Sequence, residues 1–439
     1  MSIDIETLQS KFSGEIIKPG DSQYEHASTV LMAKGSPALV VRPKNTADVV
    51  LAVQYAADNA LLLSVRSGGH SGPGLSTNNG GLVIDLKYLN TVEVTDPVRH
   101  VVRIGGGALW GDIAQELQKH QLALSSGDTK SVGVGGLTLG AGVGWMVRKY
   151  GLAIDSLVAA EVVTADGQVV RASDTEHSDL FWAIRGGGGN FGVVTSFEFV
   201  AHPTGKVYAG SIMYPPENYA ALLKGWRDCM RAAPEELTTM FLVMPSFAGM
   251  PPAAIALCCY AGDNKDAAMK AIDPLLHIGT VTHQDVVEKD YCAVLEDAHV
   301  PEGVKVIVNN TFVEDLSDEL LEIIAKNPDK IFQIRSTSGA MNRIATDATA
   351  FAHRSSEALI VSPVFVAPDA SEQDADAATA YWREILPHGK GAYINFFNQA
   401  TEKEAAACYP PATYERLAKI KAVYDPGNIF NQNINIKPA

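Results

Sequence analysis

The stretch 178-SDLFWAIRGGGGNFGVVTSFEFV-200 decides between two folds. It holds a G-x-G-x-x-G match at Gly187, Gly189 and Gly192, the pattern of a dinucleotide-binding turn. That fingerprint needs a strand entering the turn and a helix leaving it, so that a pyrophosphate meets the helix amino terminus. Here the order is reversed. SDLFWAIR reads as a helix, and GVVTSFEFV reads as a strand. A nicotinamide site of the Rossmann kind is therefore set aside, and the glycines need another account.

Three more glycine clusters surround it in the chain: 66-RSGGHSGPG-74, 105-GGG-107 and 133-GVGGLTLGAGVG-144. Of the 38 glycines, 29 fall in the first 210 residues, which concentrates tight turns and close backbone approaches there. Successive backbone N–H groups in such turns form concave anion sites, so the four clusters together suggest an extended nucleotide cradle. The plainer account is a glycine-rich sheet with hairpin turns and close strand crossings. Between the clusters ALVVRP, LLLSVR, GLVIDL and HVVRIGG read as strands, while 45-NTADVVLAVQYAADNA-60 reads as a helix capped at Asn45 or Thr46. LWGDIAQELQKH adds a helix, and 159-AAEVVTADGQVVRA-172 is a hairpin turning at Asp166-Gly167. The mixed order points to an α+β fold.

At 439 residues the chain is long enough for two domains with large cores. Past about residue 210 glycine thins out, and helices such as 217-ENYAALLKGWRDCMRAA-233 and 317-SDELLEIIAKN-327 alternate with strands TTMFLVMP, AIALCCY and ALIVSPVFV. The division expected is 1–206, 207–390 and 391–439. Thirty-five Lys and Arg against 50 Asp and Glu give a net charge of -15, so no basic field exists for nucleic acid. Five cysteines without a C-x-x-C pair argue against a disulfide framework or a metal site. The polar, acidic start and an uncharged run at 132–147 too short for a membrane span lead us to expect a cytoplasmic protein; a homodimer is left open.

The pieces PALVVRPKNTADV, SVRSGGHS, GLVIDL, GGGALWGD, SVGVGGLTLGAGVGW, DLFWAIRGGGGNFGVVTSFEF and YDPGNIFNQNINI carry a resemblance. Together they resemble the flavin-linked oxidases of the vanillyl-alcohol oxidase superfamily, in the berberine-bridge-enzyme-like branch, over roughly residues 37–205 and 390–438. The resemblance implies a PCMH-type FAD-binding domain, a middle substrate domain with an antiparallel sheet, and a carboxy-terminal segment returning to the FAD domain. It places His70 where the family joins a ring nitrogen to the 8α-methyl of FAD, with Arg66, Ser67, Gly68, Gly69 and Ser71 forming the surrounding turn. Further FAD contacts fall on Gly127, Asp128, Thr129, Val132, Gly133, Gly135, Gly136, Gly140 and Gly142, then on Gly192, Val193 and Val194, and finally on Asn395, Asn433 and Asn435.

Many relatives carry a second link from a cysteine just before V-G-V-G-G, but Thr129 stands at that place, which implies a single covalent attachment. The family's Y-x-N-Y-x-D motif reads 393-YINFFN-398: Tyr393 and Asn395 are kept, while Phe396 and Asn398 replace the second tyrosine and the acid. Tyr393 is the candidate base for a substrate hydroxyl, provided its surroundings lower a pKa of about 10. The resemblance implies an oxidase that moves hydride from a small-molecule C–H next to O or N to FAD, with dioxygen as acceptor giving hydrogen peroxide. The alternatives are a flavin dehydrogenase of an alcohol or sugar using another acceptor, and a nucleotide-binding regulator without turnover. The substrate itself would be chosen by the middle region, which matches no motif.

Overall fold

The structure, a computed structural model, describes residues 4–246, 249, 251–298 and 303–439. Its amino-terminal part is α+β, carried by two principal sheets. One has four strands in the order Glu15–Ile17, Leu39–Arg42, Leu82–Asp85, Leu63–Arg66. The last three run parallel, and successive strands that run parallel in one sheet need a crossover. The helix Thr46–Asp58 supplies it between Leu39–Arg42 and Leu63–Arg66, with the Asn45 side chain accepting from the Asp48 amide at its start. Val49, Ala52, Val53 and Ala56 recur at helical spacing and are all buried, so one face packs on the sheet.

The second sheet is antiparallel in the order Val169–Ser173, Leu157–Val163, Val193–Val200, Val101–Gly105, Val92–Asp96. Its hairpin turns at Gly167, whose φ of +79° suits glycine. The helix Ser178–Ile184 precedes the glycine run and the strand Val193–Val200 follows it, which is the order that excluded a Rossmann turn. In the cluster at 133–144 the structure goes beyond a set of turns: Val134–Leu139 is helical. Burial of Val134, Leu137 and Leu139 offsets the helix cost of Gly135 and Gly136.

The middle region carries an eight-stranded sheet. Its main path is His283–Gln284, Lys206–Tyr214, Ala253–Tyr260, Leu237–Met244, Phe332–Ser336, Ala358–Val366, Lys305–Val313, and Val287–Asp290 also pairs with Lys206–Tyr214. Helices Tyr219–Ala232 and Asp318–Ala325 cover one face, burying Leu222, Trp226, Leu320 and Ile324 against Phe241, Ile334 and Ile360. The other face looks back at the amino-terminal part: Leu359 and Val361 pack with Val143, Ile154 and Tyr393. Side chains alternate along a strand, so Ile360 and Leu359 belong to different cores.

After residue 392 the chain returns to the first region. Lys421 and Asp425 form a fully buried pair at 2.6 Å, and the Lys421 ammonium also donates to the carbonyls of Asn190 and Phe430. Asn190 in turn donates to the Ile434 carbonyl and accepts from the Ile436 amide. The tail is thus hydrogen-bonded onto the glycine run at 186–192. Among the described residues no helix is long and apolar enough to cross a membrane.

Candidate functional site

The glycine clusters, far apart in sequence, are drawn together by a few bonds. The Ser67 hydroxyl donates to the Gly106 carbonyl at 2.7 Å and accepts from the Gly135 amide at 3.1 Å, so one side chain ties three clusters. The amides of Gly186 and Gly188 both donate to the Leu139 carbonyl at 3.0 Å, which brings in the fourth. Two backbones touch outright: a Cβ on Gly68 would stand 2.2 Å from the Gly133 nitrogen, and one on Gly133 would stand 2.1 Å from the Gly68 nitrogen. Only residues without a side chain allow that approach.

Arg66 locks the turn that follows it. Its guanidinium donates to the carbonyl of Ser76 at the far end of the loop and to that of Ala27 in the helix Tyr24–Ser28, and Asp85 lies 3.9 Å away. His70 projects from this turn into a cavity of about 570 Å³, within the usual range of small-molecule sites. Burial lowers the His70 pKa and keeps the ring neutral, while its Nε2 lies 3.0 Å from the Ser131 hydroxyl.

The opposite wall comes from three strands of the middle sheet. Val306 and Val308, Gln333 and Arg335, and Pro363 and Phe365 line the cavity. Each pair is separated by two positions, as one face of a strand requires, and the register sets Val306 opposite Phe365 and Val308 opposite Pro363. Arg335 donates to Asp128 at 2.6 Å and to the Gln333 side chain at 3.0 Å, and its guanidinium sits 5.4 Å from the Phe396 ring centre. Burial would raise the Asp128 carboxyl, but the charge and hydrogen bond of Arg335 and the Thr129 hydroxyl bring it below its ordinary value. One ion pair therefore bridges the two halves of an otherwise largely apolar space.

The carboxy-terminal segment supplies the third side through Tyr393–Asn398 and Phe430–Ile434. The Tyr393 oxygen receives three N–H donors: the amides of Gly142 at 3.1 Å and Val143 at 3.3 Å, and the Asn395 side chain at 2.9 Å. Burial raises the Tyr393 pKa and these donors oppose it, since they favour the phenolate. The Asn395 amide is oriented by a second bond to the Leu137 carbonyl.

Of the residues expected from sequence, Ser67, Gly68, Gly69, His70, Ser71, Gly127, Asp128, Thr129, Val132, Gly133, Gly135, Gly136, Gly192, Val194, Tyr393, Asn395 and Asn433 line this single cavity. Five stand behind it. Arg66 fastens the loop; Gly140 makes room for Asn395, since a Cβ there would be 2.4 Å from its Oδ1; Gly142 offers its amide to Tyr393. Val193 points into the core opposite to its neighbour Val194, and Asn435 keeps a buried Oδ1 without a hydrogen bond. The sequence reading missed Arg335, Gln333 and the other four middle-sheet residues. Strand alternation in KVIVNNTFV, FQIRS and SPVFV could have grouped them by face, but not said which face meets the cavity.

The cradle fits a flavin dinucleotide. Its backbone groups are brought into one place by contacts that side chains would block, and a Cβ on cavity-lining Gly136 would meet open space rather than protein. Comparison with known proteins agrees. Residues 37–173 match the family described as FAD binding domain, and residues 392–437 match the one described as berberine and berberine like. The (R)-6-hydroxynicotine oxidase of Paenarthrobacter nicotinovorans is 32% identical over 447 residues, 97% of each chain. The crystal structure of 6-hydroxy-D-nicotine oxidase from Arthrobacter nicotinovorans superposes with a TM-score of 0.86 at 30% identity, covering 98% of both chains. A glucooligosaccharide oxidase from Acremonium strictum, described with a 6-S-cysteinyl, 8α-N1-histidyl FAD, gives 0.85 at 26% identity, again over 98% of both. A PCMH-type fold, a glycine cradle facing an antiparallel sheet, and a relative similar along its whole length together show that this chain belongs to the berberine-bridge-enzyme-like family of FAD-dependent oxidoreductases.

Proposed function

We propose that this chain is an oxidase carrying FAD through one covalent link at His70, and that it oxidises a small apolar amine at the C–H next to nitrogen. The observation that carries this reading is the cavity itself, where His70 stands on a backbone cradle opposite an apolar sheet face. The amides of Ser67–Ser71 and the clusters at 127–136 and 188–194, with Asn433, would hold the cofactor. FAD, when bound, supplies the hydride acceptor and hands its electrons to dioxygen, giving hydrogen peroxide. A single link is supported by Thr129, whose hydroxyl is engaged with Asp128 at 3.0 Å, and by the five cysteines, none of which lies on the described cavity wall. Those thiols are unpaired, which suits a reducing cytoplasm.

Val306, Val308, Pro363, Phe365 and Phe396 give the substrate an apolar bed and exclude water, while the Arg335–Asp128 pair closes one end. The amine is favoured over an alcohol by the residues at 396 and 398. Phe396 and Asn398 line the wall where the family motif has a tyrosine and an acid, so no strong base is added there. A neutral amine needs none, because its nitrogen lone pair assists loss of hydride. For an alcohol substrate, Tyr393 is the group that would take the hydroxyl proton, helped by the three N–H donors on its oxygen.

The test is anaerobic stopped-flow reduction of the flavin by a panel of secondary amines and alcohols, with wild type and Tyr393→Phe. With an amine, the variant should reduce within a few-fold of wild type. With an alcohol it should slow by about 10² to 10⁴, the usual worth of a general base. Oxygen uptake and peroxide release should then accompany turnover. Rapid reduction without reoxidation by oxygen would point to a dehydrogenase with another acceptor. Reduction by alcohols alone would refute the amine assignment.

A further inference from the structure

We infer that Ser131 is the positioning residue that presents His70 for flavin attachment, directing its Nδ1 lone pair into the cavity and so setting which nitrogen is alkylated. This rests on the covalent role proposed for His70. The carrying observation is the 3.0 Å contact between His70 Nε2 and the Ser131 hydroxyl. A neutral imidazole has one N–H and one lone pair. When Nε2 carries the hydrogen and donates it to Ser131, the lone pair lies on Nδ1.

Two features favour that arrangement over its reverse. Burial holds the ring neutral, and a contact with the Ser131 backbone acts against it by favouring the proton, as a carbonyl acceptor does. Serine thus offers the same ring both a hydroxyl and a main-chain group. It is also held in place. The Lys130 amide donates to the Glu296 carbonyl at 2.8 Å, and the Val132 carbonyl accepts from the Trp110 amide at 2.9 Å. The Gly68–Gly133 backbone contact fixes the two loops against each other, so the distance between His70 and Ser131 is set by the fold. Ser131 itself is not among the residues that line the cavity.

The covalent step balances with groups already named. With FAD bound, its C8 methyl would lose a proton that ends, by way of water, on the ring system; the Nδ1 lone pair would form the nitrogen–carbon bond, and the ring system would take up the electron pair and be left reduced. Dioxygen then reoxidises it and becomes hydrogen peroxide. The alkylated imidazole is cationic while Nε2 keeps its hydrogen, and the Ser131 oxygen accepts that stronger hydrogen bond.

The experiment is reconstitution of flavin-free protein with FAD in air, comparing wild type, Ser131→Ala, Ser131→Thr and His70→Ala. Covalent flavin is counted after acid precipitation at timed intervals, non-covalent affinity is titrated separately, and NMR of the flavin peptide identifies the alkylated nitrogen. Wild type and Ser131→Thr should attach at similar rates through Nδ1. Ser131→Ala should attach about ten-fold more slowly at saturating FAD, the worth of one hydrogen bond, with part of the product linked at Nε2. If Ser131→Ala does not fold, Ser131→Cys, a weaker partner of similar size, carries the same expectation. Attachment in the variant at the wild-type rate and only through Nδ1 would overturn the inference, as would a change confined to non-covalent affinity. Absence of covalent flavin in wild type would instead overturn the role of His70, and this inference with it.

Discussion

On one side of the cavity stand residues 67–72, 127–129, 132, 133, 135, 136, 188, 189 and 192, largely through their backbones; on the other stand the side chains of Val306, Val308, Gln333, Arg335, Pro363 and Phe365. The first wall is made by leaving side chains out, so that main-chain amides reach a ligand and one another. The second is made by choosing side chains on alternate positions of three strands. At Gly68, Gly72 and Gly133 a wall of the first kind tolerates no addition, because the nearest neighbour is backbone that cannot move aside. A wall of the second kind can be recut residue by residue while the sheet beneath it stays. On the proposed function, the rigid side would hold the cofactor and the adjustable side would choose the substrate.

The sharpest way to break this contrast is to add atoms to the rigid wall. Gly68→Val places a Cβ 2.2 Å from the Gly133 nitrogen, and the flavin content of purified protein should fall at least about ten-fold. Val306→Ala on the other wall should leave flavin content unchanged and alter KM for the substrate instead. Equal flavin content in both variants would remove the distinction.

Next in size is the pair that joins the walls. Arg335→Ala leaves the Asp128 carboxylate without its counter-charge, and loss of one partner of a largely buried pair costs about 3 kcal/mol. The thermal midpoint should drop accordingly, and Asp128→Asn in the same background should recover part of it. No recovery would mean that the loss lies in Arg335 packing on Phe396 rather than in the stranded charge.

The smallest effect concerns the seam between the two regions. His202 stacks on Tyr150 at 3.8 Å and bonds Ser156, and burial with the nearby charges of Lys149 and His100 lowers its pKa to about 4. Since the folded value lies below the unfolded value of about 6.5, the unfolded chain binds the proton more readily. The contribution is therefore fully present above about pH 6.5 and is lost as pH falls toward 4. At pH 5 the loss amounts to about 2 kcal/mol. His202→Phe, which keeps the stack, should flatten that part of the acid limb and leave stability at pH 8 within about 0.5 kcal/mol of wild type. An unchanged acid limb would assign the loss to other groups.

Much of the rigid wall was legible because its information is local. R-S-G-G-H-S and V-G-V-G-G are short runs, and the resemblance they carry with YDPGNIFNQNINI implied His70, Thr129 and Asn433; of their glycines Gly69 has a positive φ of +74°, while Gly68 and Gly133 answer to each other across two loops. The helix at 46–58 could be read from four apolar positions and a cap. What sequence alone determined was this: an α+β chain with a glycine cradle, a reversed G-x-G-x-x-G that rules out a Rossmann turn, and a histidine in the turn. Tertiary structure decided the rest. Arg335 meets Asp128 across 207 positions of chain, and the Tyr393 hydroxyl meets the amides of Gly142 and Val143 across about 250. Neither pairing has a local signature, because strand alternation fixes which side chains share a face, whereas the packing of one sheet on another fixes what that face meets.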